Sequence, residues 1–186
     1  MRQRQIILPK AKGDVLEIGC GGGTNFHLYD YERVHKLYAL EPSQGMLKRA
    51  RLRAESLNLA GDIEFLQEGA EAISLEDRSI DSAVLTFSLC TIPDWQSALA
   101  EIRRVLKPDG RLYFCEHGLS PELHIAKWQN RIEPIWKPLA GGCHLTRDIQ
   151  SLISLSGFHF EQSESRYLPK TPKFAGYVSW GSARPL

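Results

Sequence analysis

The sequence predicts an α/β protein whose doubly wound, mostly parallel sheet closes with an antiparallel C-terminal strand pair. Three observations predict it. Short apolar runs alternate with helical periodicity from Val15 to Cys115, the pattern of successive β-α-β units. The first run, Val15–Ile18, leads straight into a glycine loop, Gly19-Cys20-Gly21-Gly22-Gly23. The last two runs, Phe158–Tyr167 and Phe174–Trp180, are joined by Pro169-Lys170-Thr171-Pro172, too short for a parallel crossover.

Taken in order, the strands are Val15–Ile18, Leu37–Leu40, Ile63–Leu66, Ser82–Phe87 and Arg111–Cys115. A helix over Gly45–Leu57 places Met46, Leu47, Ala50, Ala54 and Leu57 on one apolar stripe. Asp94 caps a second helix, Trp95–Leu106, which Lys107-Pro108-Asp109-Gly110 ends with two breakers. Pro121–Trp136 reads as helical. Thr146–Ser156 reads as another helix, with Thr146 as N-cap and Asp148 in its first turn.

The 186 residues form one domain, 1–186, large enough for a core without staples. Residues 12–116 are its ligand-binding half, and 117–186 its lid and terminal strand pair. A net charge of +1 gives no reason to expect nucleic acid. Arg49, Arg51 and Arg53 read as a solvated helix face. No run approaches membrane-span length and no signal pattern opens the chain, so a cytoplasmic location is expected. Cys20, Cys90, Cys115 and Cys143 lie far apart without a C-x-x-C, so their spacing indicates no metal site and no disulfide framework.

The chemistry-bearing residues fall at strand ends. Gly19 to Gly23 let the backbone turn and approach a ligand closely. A dinucleotide fingerprint wants a sixth-position glycine where Thr24 stands, and the anionic Glu17 suits an amino group better than a phosphate. Glu41 ends the second strand, 22 residues after Gly19, where a carboxylate can take both hydroxyls of a ribose; the plain alternative is that Glu41-Pro42-Ser43 opens the next helix. Gly69-Ala70-Glu71 follows the third strand, placed to read an adenine edge. Thr86-Phe87-Ser88-Leu89-Cys90 leaves the fourth at the switch point, with Phe87 or Leu89 against the adenosine or in the core. Cys90 reads as a buried thiol rather than a nucleophile.

These residues resemble the class I S-adenosylmethionine-dependent methyltransferase superfamily, with its Rossmann-like sheet. VLEIGCGGGTNF (Val15–Phe26) looks like its glycine motif and LYALEPSQGML (Leu37–Leu47) like its acidic ribose motif. Ser79–His117 looks like its fourth-to-fifth-strand region. FHLYD (Phe26–Asp30), Glu116-His117 and Gly142–Asp148 narrow the resemblance. They look like the small methyltransferase-like group that includes alkyl thiol methyltransferases. The resemblance implies S-adenosylmethionine as cofactor, held by Glu17, Gly19, Cys20, Gly21, Gly23, Asn25, Glu41, Pro42 and Met46, with Gly69, Ala70, Glu71, Thr86 and Phe87. His117, Glu116 and His144 are the candidate catalytic residues. Relatives carry a longer N-terminal segment than Met1–Lys12. The expectation is that a lid is absent, or that another chain or Pro121–Ala140 supplies it.

The implied function is methyl transfer from S-adenosylmethionine to a small acceptor, apolar or thiol-bearing, by in-line displacement. Trp128, Ile132, Ile135 and Trp136 are its expected lid, or simply the packed stripe of a helix. Alternatives are a cofactor-binding module or partner subunit without turnover, and a quinone or phospholipid methyltransferase. Peripheral membrane contact stays open. An NAD-dependent oxidoreductase fits Glu17, Thr24 and the terminal pair poorly. A nucleic-acid methyltransferase lacks its Asn/Asp-Pro-Pro-aromatic sequence where Ser88-Leu89-Cys90-Thr91 stands.

Overall fold

A computed structural model describes residues 2–186. The chain opens with α1 (Arg2–Ile7) and a 3-10 turn (Leu8–Lys10), then runs into β1 (Gly13–Ile18). β2 (Val34–Leu40), α2 (Gln44–Ser56), β3 (Ile63–Leu66), β4 (Ile80–Thr86), α3 (Trp95–Val105) and β5 (Leu106–His117) follow. The last third is α4 (Leu123–Leu139), α5 (Ile149–Leu155), β6 (Phe158–Tyr167), α6 (Lys173–Gly176) and β7 (Tyr177–Pro185).

The sheet order is β3-β2-β1-β4-β5-β7-β6. β1 pairs in parallel with both β2 and β4, so strand order reverses there, at the switch point where open α/β sheets bind ligands. β7 lies antiparallel between β5 and β6, as the prolyl loop required. Side chains alternate across the strands. Leu16, Ile18, Leu85 and Phe114 pack under α3 and α5, while Val15, Leu37, Val84 and Cys115 pack with α1 and α2. Both faces are therefore covered, which is why the strands read as nearly continuous apolar runs.

Several boundaries differ from the sequence expectation. The crossover from β1 to β2 contains no α-helix, only glycine turns and a 3-10 turn at Phe26–Leu28. β5 begins at Leu106, with no gap after α3: Leu106 pairs with Ile80 and Arg111 with Ser82, leaving Lys107–Gly110 as a bulge between them. The Lys107–Asp81 ion pair, 2.7 Å, holds that bulge against β4. α5 is capped by Asp148, whose carboxylate accepts from Ser151 N, and not by Thr146. Thr146 N instead donates to Glu133 of α4. Asp94 caps α3 as expected.

Of the expected α2 stripe, Leu47, Ala50 and Ala54 are buried, but Leu57 lies beyond the helix and is 36% exposed. Arg51 stacks its guanidinium on Phe65, 4.4 Å from the ring centre. Among the described residues no helix is long and apolar enough to cross a membrane.

Candidate active site

The glycine loop takes its shape from positive backbone angles. Gly19 (φ 66°) could not carry a side chain: a Cβ there would lie 2.6 Å from Ser88 Oγ, which is itself fixed by donating to Ile18 O at 2.8 Å. Gly21 (φ 55°) donates its N–H to Glu41 Oε2 at 3.1 Å. The other oxygen of Glu41 accepts from Ser43 N at 2.9 Å, and Ser43 caps α2. One carboxylate thus keys the loop to the start of α2 and keeps further lone pairs free.

Beneath the loop lies a buried polar network. Asn25 Nδ2 donates to Glu17 Oε1 and to Thr86 Oγ1, each at 2.8 Å, and Asn25 Oδ1 accepts from Arg4 of α1 at 2.8 Å. Glu17 is 1% exposed, and among the described residues its Oε2 meets no partner within full hydrogen-bond geometry. Burial pushes its carboxyl up from 4.5 to about 7, against the opposing pull of Asn25, Tyr29 and Arg4.

Above the loop, at the C-terminal ends of β1, β2 and β4, opens a cleft of about 410 Å³, in the range of small-molecule sites. Gly19, Gly21, Glu41 and Pro42 line one side. Gly69, Ala70, Glu71 and Phe87 line the other. Ile18, Leu40, Ser88, Thr91, Ile92, Pro93 and Gly141 complete it; Ile92 and Pro93 lie in a loop without motif chemistry, so nothing local marked them. Phe87 holds a left-handed backbone (φ 56°), uncommon for a bulky residue and concentrated at functional sites. Leu89, the other candidate for adenosine packing, is fully buried in the core. Glu17, Cys20, Gly23, Asn25, Met46 and Thr86 do not line the cleft. Glu17, Asn25 and Thr86 form the network under it, and the Met46 methyl would touch a Cβ on Gly21 at 3.4 Å.

The three predicted catalytic residues are likewise set back from the cleft. Glu116 is fully buried, and its Oε1 accepts from Ser88 N (2.8 Å) and Leu89 N (3.1 Å), bracing the turn after β4. Burial raises it to about 7 against those backbone bonds. His117 stacks on Phe87 with ring centres 6.4 Å apart and places Nε2 2.6 Å from Cys143 Sγ. His144 Nδ1 lies 2.9 Å from Glu133 Oε1, tying α4 to the following loop. Burial works to raise Glu133, but its bonds to Thr146 and His144 outweigh this and hold it below the ordinary carboxylate range.

Two carboxylates, Glu41 and Glu71, face the cleft, and among the described residues no Lys or Arg lines it. That electrostatic character repels a pyrophosphate and favours a ligand bearing positive charge. The sequence profile of the methyltransferase-domain family matches residues 16–114, which contain both carboxylates and the glycine loop. The chain belongs to this family. It is a class I S-adenosylmethionine-dependent methyltransferase, and S-adenosylmethionine is its methyl donor. The glycine cradle and the two carboxylates fit a cationic nucleoside.

This methyltransferase is 34% identical over 169 residues to thiol S-methyltransferase TMT1B of Rattus norvegicus, covering 87% of this chain and 68% of that one. It is 32% identical over 117 residues to demethylmenaquinone methyltransferase of Clavibacter sepedonicus, covering 62% of this chain and 45% of that protein. Its fold matches the solved structure of geranyl diphosphate methyltransferase with a TM-score of 0.78 at 15% identity, over 100% of this chain and 85% of the other.

Proposed function

We propose that this methyltransferase acts on a small thiol with an apolar body. The observation that carries this reading is that none of the expected bases is free at the cleft. His117 Nε2 is engaged by Cys143, Glu116 is buried against backbone N–H groups, and His144 is tied to Glu133. A hydroxyl or amine acceptor needs its proton removed, whereas a few per cent of a thiol is already thiolate at neutral pH. The 34% identity to a thiol S-methyltransferase supports the same acceptor.

S-adenosylmethionine supplies a methyl group already activated on a sulfonium. What remains for the chain is alignment and the exclusion of water. The Glu41 carboxylate takes the ribose hydroxyls, Ala70 N–H and Glu71 read the adenine, and the Gly19–Gly21 backbone admits the amino-acid end. Phe87 forms the wall between cofactor and acceptor. Residues 12–116 then carry the cofactor, and 117–186 the acceptor side. Glu41→Ala should weaken S-adenosylmethionine by about 1.5–3 kcal/mol, the scale of hydrogen bonds to a charged group. Calorimetry on the folded variant checks it, and an unchanged Kd removes the ribose assignment.

The helix expected as lid is anchored by polar contacts. Gln129, buried, accepts from Ser120 N at 2.9 Å and donates to Phe174 O at 2.9 Å. The two tryptophans differ. Trp136 is half-buried and meets Phe174 edge to face, while Trp128 is 57% exposed. Trp136→Ala should therefore lower Tm, and Trp128→Ala should leave Tm unchanged while lowering kcat/KM for apolar thiols. Equal melting losses in both would make the helix purely core.

The acceptor test is S-adenosylhomocysteine release against thiols, phenols, quinols, amines and lipids. Thiols alone should turn over, with kcat/KM rising roughly tenfold per pH unit below the acceptor's own pKa. Turnover of quinols but not thiols would overturn the thiol reading in favour of the quinone alternative, which the menaquinone relative supports over 62% of the chain.

A further inference from the structure

One side-chain cluster has no part in methyl transfer as described. Cys90 lies in the turn after β4, His117 ends β5, and Cys143 stands in the loop between α4 and α5. Folding brings the two sulfurs and an imidazole nitrogen within 4.8 Å of one another. Both thiols are buried and His117 is half-buried. The frame around them is tied by backbone bonds. His144 N donates to Cys90 O at 2.8 Å, and Cys143 N to Ala140 O at 3.2 Å. Phe87 N donates to Cys115 O at 3.1 Å, fixing the strand ends from which Cys90 and His117 project.

Two sulfurs and an imidazole form a borderline-soft donor set. Calcium and magnesium seek oxygen, whereas zinc and cobalt(II) accept S₂N. Size sets one condition. Zn–N near 2.0–2.1 Å and Zn–S near 2.3 Å, at a tetrahedral angle, place N and S about 3.5 Å apart. His117 Nε2 and Cys143 Sγ, now at 2.6 Å, must therefore separate by about 1 Å. Cys143 follows Gly141 and Gly142, both at positive φ, so its loop has the backbone freedom to yield.

We propose that Cys90, His117 and Cys143 bind one thiophilic divalent cation of the zinc type. Three protein ligands leave the fourth tetrahedral position to a small exogenous ligand, as in catalytic rather than closed structural zinc sites. The site shares a wall with the cleft, because the Phe87 ring lines the cleft and stacks on His117.

The test uses the whole chain, reduced and stripped of metal, titrated with Co²⁺ and then Zn²⁺. One equivalent of Co²⁺ should give sulfur-to-cobalt charge transfer and tetrahedral d–d bands, and Zn²⁺ should abolish both. Cys90→Ser and Cys143→Ser should each weaken binding by at least about tenfold, since even second-shell losses cost that much. Cys115→Ala, in the core, should leave it unchanged. Should the serine variants fold poorly, X-ray absorption of the Zn²⁺-loaded wild type decides: two sulfurs near 2.3 Å and one nitrogen near 2.0 Å are expected. Absence of charge transfer, or a shell of nitrogen and oxygen only, overturns the proposal. Neither readout depends on methyl transfer, so failure here leaves the proposed function standing, and the reverse holds too.

Discussion

Gly21→Val should eliminate S-adenosylmethionine binding while leaving the protein folded. Gly21 sits at φ 55° on the wall of the cleft, and its N–H is held by Glu41 Oε2. A Cβ there meets only the flexible end of Met46 at 3.4 Å, so the protein itself can accommodate a small side chain. Gly21 lines the cleft, so added bulk there is expected to narrow the ligand's space, and a β-branched residue at positive φ distorts the loop further. A Kd raised at least about a thousandfold, ~4 kcal/mol, is expected by calorimetry. Gly21→Ala should fall between wild type and Val, at a backbone cost of about 1–2 kcal/mol. Undiminished affinity in Gly21→Val would make the loop a structural turn and move the cofactor site elsewhere.

The second large effect lies in Glu17. Its carboxyl is raised from 4.5 to about 7, chiefly by burial. A folded-state pKa above the unfolded one stabilises the protein fully below pH 4.5, and that advantage disappears as pH rises through about 7. The shift corresponds to about 3 kcal/mol between those limits. Glu17→Gln keeps an oxygen to accept from Asn25 and has nothing to ionise. Denaturant unfolding of the unliganded protein from pH 5 to 8.5 should show wild type losing stability relative to Glu17→Gln by up to that amount. Parallel curves would mean that Glu17 is ionised and solvated in the fold, contrary to its burial.

Much of the architecture was legible in local pattern. β3 and β6 begin and end where their apolar runs do, and Asp94 caps α3 because a carboxylate two to three residues before free N–H groups is a local device. The antiparallel pairing of β6 and β7 followed from loop length alone. Boundaries failed where tertiary pairing outweighed local signals. Lys107-Pro108-Asp109-Gly110 reads as a terminator, yet β4 recruits Leu106 into the sheet and leaves those residues as a bulge. Thr146 and Asp148 are both good caps in sequence, and the proximity of Glu133 decided between them.

The same division runs through the site. Sequence by itself pointed to Gly19, Gly21, Glu41 and Gly69–Glu71, which line one cleft because each sits at a strand end and parallel strands deliver their C-terminal ends to one rim. It also determined the family, through motifs contiguous in the chain. Tertiary structure decided what each polar group touches. Glu17 and Asn25 became a buried network below the loop, Glu116 a brace for Ser88 and Leu89, and His144 the partner of Glu133. It alone joined Cys90, His117 and Cys143, which sequence spacing had separated. The physical reason is range: turns, caps and strand ends are set by neighbours within a few residues, whereas burial and hydrogen-bond partners are set by chain segments that meet only when the sheet closes.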